Sequence, residues 1–410
     1  MTVEWIRNAR LANRRRVDIG VREGRIDAVD DHDPDRTAGI DLGGWLLLPP
    51  LTEPHAHLDK ACSAETVGNP SGDLDGAIAA WSAAAAAGQI SPADVATRAE
   101  TALRRLLTNG VTTVRTHVNV TADVGAVNIG VIRSVADRFA GLVDVQIVAL
   151  TSAPMRGPGT SGARAALDDA VASGADIVGG CPHLAGDEAG SIAHAFSVAA
   201  AAGLPVDLHT DETLDPGVLT VLDMADHVER TGFGHGVVAS HCVSLGVQPV
   251  ERQREIARRL AAADIAVLPQ PQTNLYLQAR DHPTAPPRGL TAIASLLEAG
   301  VTVAAGADNV QDPYNLVGRS DPLETAALLV MAAHVSPETA YDMVTNNARR
   351  AIGLEPVDFT PGDPADFLAI DAPSIRAAIA DAPPARRVFR RGTLVATTDH
   401  TTTIERNPAR

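Results

Sequence analysis

One lysine occurs in 410 residues, at position 60; the other basic side chains are arginine. Arginine therefore serves for every ordinary surface cation, and the retained ammonium marks a place suited to a compact point charge with a movable pKa but not to a rigid guanidinium fork. Cysteine is nearly as scarce. Cys62, Cys181 and Cys242 share no CxxC spacing, which excludes a disulfide framework and a thiolate zinc site. Aromatics make up 3%, too few for a stacking platform for nucleic acid. The formal charge of -16 repels phosphate backbones and anionic membranes. No apolar run is long enough to span a bilayer, and the N-terminus has no signal-peptide core, so a cytoplasmic location is expected.

Apolar residues amount to 45% and charged residues to 20%, the balance of a soluble globular enzyme. From about residue 95 one unit recurs: an Ala/Leu-rich helical stretch, a glycine or short turn, a β-branched run and a polar residue. It reads "LRRLLTNGVTTVRTH", "LDDAVASGADIVGGCPH", "SVAAAAGLPVDLHTDE", "ERTGFGHGVVASH", "RRLAAADIAVLPQPQ" and "SLLEAGVTVAAGAD". The glycines suit left-handed helix ends, and the runs after them are apolar enough to be buried on both faces.

With "WLLLPPLTEPHAH" and "VDVQIVALTS" added, eight parallel strands are expected, near 46–58, 111–119, 143–151, 175–181, 205–211, 235–242, 264–271 and 301–308. That alternation predicts an α/β fold, a (β/α)8 TIM-type barrel over residues 46–354. Residues 1–45 and 355–410 carry short alternating runs and predict a small β-sandwich built from both termini. "SPAD" after the alanine-rich "WSAAAAAGQI" predicts an N-cap serine with proline at the first helical position.

Such barrels carry their chemistry at the C-terminal ends of the strands. Those ends hold His55 and His57, His117, Ser152, Cys181 and His183, His209, His241, Gln270 and Asp308. Residues i and i+2 of a strand face the same side, so "HAH" aims two imidazoles at one point. With His209, Asp308 and an open position they compose a catalytic metal site, in which bound water becomes nucleophilic near neutral pH. Glu212, three residues after His209, and His241 stand beside it.

At this point the chain resembles the amidohydrolase superfamily, and within it the cytosine deaminase-like group. The resemblance rests on "PHAHLD", "VRTHVNV", "VDVQIVA", "HTDE", "ASH", "NLYLQAR" and "GADNVQDP", in family order along nearly the whole chain. It implies that His55, His57, His209 and Asp308 bind one divalent metal, zinc or iron. It implies further that His241 orients the activated water, that Glu212 protonates the ring nitrogen and then the leaving amine, and that Asp308 accepts the water's proton.

Relatives with two metals carry a lysine at the end of strand four; "GGCPHLAGD" has none, which favours a single ion. Ser152 stands where cytosine deaminases carry a glutamine, and Asn309 where they carry an aspartate, so cytosine itself is not the expected substrate. "HLDK" and "GADN" look more like N-isopropylammelide amidohydrolases and creatinine-type deaminases. Lys60, His117, Ser152, His183, Asn274, Asn309 and Tyr314 are the expected pocket residues.

The expected reaction is hydrolysis of an exocyclic C–N bond on a cyclic amidine. Ring opening of a cyclic amide or imide, and a non-catalytic assembly protein of the same fold, are the alternative readings. The expected partners are a small heterocycle and further copies of the chain, with neither nucleic acid nor membrane.

Overall fold

The structure, a computed structural model, describes residues 3–121, 124–151 and 160–404. Seven parallel strands run in sequence order, each hydrogen-bonded to the next: Leu51–Ala56, Val111–Val120, Asp144–Thr151, Ile177–Gly180, Val206–Thr210, Val237–His241 and Ile265–Leu268. Helices separate most of them. Pro92–Thr108 begins as "SPAD" predicts, with Ser91 accepting from the Asp94 N–H and proline in the first turn. Helices Glu188–Ala202 and Thr220–Thr231 end at left-handed Gly203 and Gly232.

The expected eighth strand is present as a path, not as a ladder. Residues 301–308 bridge in parallel to Val267 on one side and to Ala56 on the other, which brings the sheet close to closure. Two of its N–H groups turn to side chains: the Gly306 N–H goes to Gln270 Oε1 and the Ala307 N–H to the Glu53 carboxylate. A Cβ at Gly306 would lie 2.6 Å from Glu53 Oε1, so only glycine admits this approach.

The first expected strand is also divided. Pro49 and Pro50 lack N–H groups and break the ladder. Leu51–Ala56 continues into the barrel, while Leu46–Leu48 pairs antiparallel with Phe367–Ile370. In the terminal segments eight strands from both ends join one mixed sheet. Leu46 and Leu48 face the main barrel core, whereas Leu47, Phe367 and Phe389 belong to a second, smaller core. One face of the sheet thus packs on the barrel, and the other gathers strands from both termini around a core of their own. Among the described residues no helix is long and apolar enough to cross a membrane.

Candidate active site

Alternate residues of the barrel strands point inward, and here the inward layer is polar. Glu53 and His55, Arg115 and His117, and Asp207 and His209 are i, i+2 pairs on three strands, and all six are buried. Single ligand atoms from His55, His57, His209 and Asp308 lie within 4.8 Å of one another. His57 Nε2 is 3.2 Å from His209 Nε2, and Asp308 Oδ1 is 3.1 Å from His57 Nε2 and 3.4 Å from His55 Nε2. His55 Nε2 and both Asp308 oxygens are buried without a hydrogen-bond partner. Leaving buried polar atoms unpaired is costly, so converging donor atoms of this kind fit a divalent cation.

Electrostatics keep His57, His209 and Asp308 in a ligating state. Burial, and then the Lys60 charge, hold the His57 imidazole below its usual range. Burial and then His55 press His209 well below it. Burial alone would raise Asp308, but the neighbouring imidazoles of His55, His57 and His241 outweigh it and hold that carboxyl well below the ordinary value.

Glu212 has the opposite setting. Burial, reinforced by Asp308, raises its carboxyl well above the usual range, and an Asn274 hydrogen bond only partly opposes this. Its Oε1 accepts from Asn274 Nδ2 at 3.2 Å and is 3.5 Å from His241 Nδ1. Burial takes His241 down to about 3. A carboxyl that keeps its proton beside one that gives it up is the arrangement of an acid and base pair.

The preceding residue sets the direction of Glu212. Asp211, left-handed at φ 54°, accepts from the Thr220 N–H, the Thr220 hydroxyl and the Val221 N–H, which pins the loop to the next helix. His241 and Asp308 are left-handed too, at φ 71° and 66°. Such strain at non-glycine residues is concentrated where side chains must be re-aimed.

Lys60 is 3% exposed. Its ammonium donates to Asn119 Oδ1 at 2.9 Å, lies 3.1 Å from His57 Nδ1 and 3.5 Å from Asp59, and stands about equally far from the Trp81 and Tyr314 rings, at 6.0 and 5.8 Å. His117 stacks on His55 at 3.9 Å between ring centres, and its carbonyl accepts from His57 Nδ1 at 3.0 Å. The ring thus packs directly against the ligand cluster. His183, on the turn Pro182–Leu184, is lowered to about 4 by burial. Asn274 joins Glu212 and His241. The Asn309 amide is committed to Asp312 Oδ2 at 2.8 Å, while Tyr314 is half-buried on the same loop. Ser152 lies outside the described residues.

The sequence reading passed over Glu53, Arg115, Asp207, Asp211 and Ser240. For the first three a signal was available, since each precedes a histidine of the site by two residues in a strand.

Comparison with known proteins gives concordant results. The model of the amidohydrolase family matches residues 63–397. A pterin deaminase of Rhizobium rhizogenes is 32% identical over 83% of this chain and 78% of its own length. The crystal structure of a 5-methylcytosine deaminase from Klebsiella pneumoniae superposes with a TM-score of 0.88 at 29% identity, covering 98% of this chain and 99% of the other. That of an N-isopropylammelide isopropylaminohydrolase from Burkholderia multivorans does so with a TM-score of 0.82 at 30% identity, covering 97% and 99%.

Proposed function

The chain belongs to the amidohydrolase family, and from that premise we propose that it hydrolyses the exocyclic C–N bond of a small amino-substituted N-heterocycle, releasing ammonia or an amine. The observation that carries this reading is the buried pair of unlike carboxyls, Glu212 raised and Asp308 lowered, at a cluster of converging imidazoles. The relatives named above are deaminases and an aminohydrolase of N-isopropylammelide, which favours this chemistry over ring opening or a non-catalytic role.

His55, His57, His209 and Asp308 would hold one zinc or iron ion, which supplies Lewis acidity and makes a water nucleophilic at neutral pH. A single ion accords with the absence of lysine from "GGCPHLAGD". Asp308 takes the proton from the attacking water. His241 orients that water and stabilises charge growing on the oxygen. Glu212 protonates the ring nitrogen, and then the departing amine. Lys60, Asn274, His183 and Tyr314 surround the ring, with Asn309 holding the loop of Tyr314 in place. In this reading residues 46–354 carry the chemistry, and 1–45 with 355–410 form the appended unit. A cytoplasmic homo-oligomer is part of the proposal, in keeping with three unpaired cysteines.

The test is coupled ammonia detection on metal-analysed protein with pterin, 5-methylcytosine, N-isopropylammelide and creatinine, alongside amine detection for the alkylated compound. Turnover of at least one without a new carboxylate is expected, with cytosine a poor substrate. A product carrying a new carboxylate would replace deamination by ring opening.

Lys60 provides a second check. An amine-selective reagent has only this side chain and the N-terminal amine to modify, and the burial of Lys60 means that pocket occupancy should govern its rate. Inactivation with protection by substrate is expected, and Lys60→Arg should lower kcat/KM roughly 10- to 100-fold, as for a lost charged hydrogen bond. Full activity of protein in which mass spectrometry shows Lys60 modified would remove it from the substrate site.

A further inference from the structure

A line of buried polar groups extends from the ligand cluster into the barrel. His55 Nδ1 is 2.9 Å from Ser240 Oγ, and Ser240 Oγ donates to Asp207 Oδ1 at 2.9 Å. The other Asp207 oxygen accepts from Arg115 Nη1 at 2.8 Å. Arg115 is fixed in turn by Gln146 Oε1 at 2.9 Å and by the Ile352 carbonyl at 3.3 Å. His55, Ser240 and Asp207 are 0% exposed and Arg115 2%.

The hydrogen count gives this line a direction. A serine hydroxyl has one proton and two lone pairs, and an ionised carboxylate only accepts. With its proton given to Asp207, Ser240 Oγ can only accept from the imidazole. The hydrogen of neutral His55 must then sit on Nδ1, which leaves the Nε2 lone pair free, 3.4 Å from Asp308 Oδ1. We infer that Ser240 and Asp207, locked by Arg115, are positioning residues that set the tautomer and ring angle of His55 and so tune the cation affinity of the site. This rests on the proposed role of His55 as a ligand.

Neighbouring histidines show that the device is particular to His55. His57 receives its equivalent support directly from the His117 carbonyl, and His209 Nδ1 has no hydrogen-bond partner. A second cation among His55, His117 and Asp207, whose ligand atoms also converge, is disfavoured because Arg115 already places a positive charge on Asp207. The sequence supports the arrangement as well: Asp207 precedes His209 by two residues in one strand, and Ser240 is in register with His209 on the next, so strand pairing brings brace and ligand together.

The test is zinc affinity measured by competition with a chromophoric chelator, which needs no substrate. Ser240→Ala and Asp207→Asn should each weaken zinc by about 10- to 100-fold, the usual effect of removing an outer partner of a ligating histidine. The double variant should be no weaker than the worse single one, because both cut the same line. The thermal midpoint of metal-free Ser240→Ala should stay near that of the parent. Wild-type affinity in Ser240→Ala overturns the inference, and so do additive losses, which would mean that Asp207 acts independently of the hydroxyl. If Asp207→Asn fails to fold with Arg115 left unpaired, Ser240→Ala alone decides. Failure of the unmodified protein to bind zinc, iron or cobalt would count against the metal site itself, and the two failures are thereby distinguished.

Discussion

Replacing His209 with alanine should abolish both metal content and turnover. His209 is the one member of the four-donor cluster that its strand supplies, and its Nε2 lies 3.2 Å from His57 Nε2. Without it three donors remain, one of them an aspartate whose oxygens have no other partner. Outer partners alone change affinity 10- to 100-fold, and a direct ligand should exceed that. Metal analysis of purified His209→Ala should find substoichiometric zinc and iron, with activity no higher than that of chelator-treated parent protein. The parent should regain activity on adding metal, and the variant should not. Two ions tightly bound per unmodified chain would reject the single-ion reading, while a fully metallated and active variant would place the centre elsewhere.

Glu212→Gln separates proton transfer from metal binding. Glutamine keeps the size and the oxygen that accepts from Asn274, but it has no proton to give. Turnover should fall ~10²- to 10⁴-fold, the range for a lost general acid or base, with metal content unchanged. The raised carboxyl adds a pH signature. An acid works while protonated, so activity of the parent should fall as pH rises through the elevated pKa of Glu212, and that alkaline limb should be missing from the residual activity of the variant. Loss of metal in Glu212→Gln would make the carboxylate a ligand, a possibility with a geometric basis because Glu212, His241 and Asp308 also converge.

What the sequence disclosed of this site follows the range of the interactions. "HAH" is legible because strand geometry alone aims i and i+2 alike, and Asp308 because a polar residue ends a buried run. The parallel barrel was legible from the repeating unit. The division at Pro49 and Pro50 was present in the sequence, but its meaning depends on Phe367–Ile370, a partner from the far end of the chain. The broken eighth strand depends on Glu53 and Gln270 capturing N–H groups that regular pairing would have used. Ser240, Asp207 and Arg115 come from three separate strands, and nothing local marks the serine as a link between a histidine and a carboxylate. Asn309 adds a contact that its position beside Asp308 did not disclose: its Nδ2 donates to Asp312 within the same loop.

The seam between Leu46–Leu48 and Phe367–Ile370 bears on how the molecule is made. It lies in the interior of the terminal sheet, with strands from the beginning of the chain on one side and strands from its end on the other. Leu46–Leu48 also leads through two prolines into the strand that carries His55. During synthesis this segment must therefore wait for almost the entire polypeptide to emerge before its partner exists, a pairing of the longest kind and the slowest to form. Until then its edge is open and Leu47 lacks the C-terminal part of its core, a ready template for another nascent chain. Premature termination before residue 367 should consequently yield aggregates instead of a smaller soluble barrel, even though the four converging donors His55, His57, His209 and Asp308 all lie upstream.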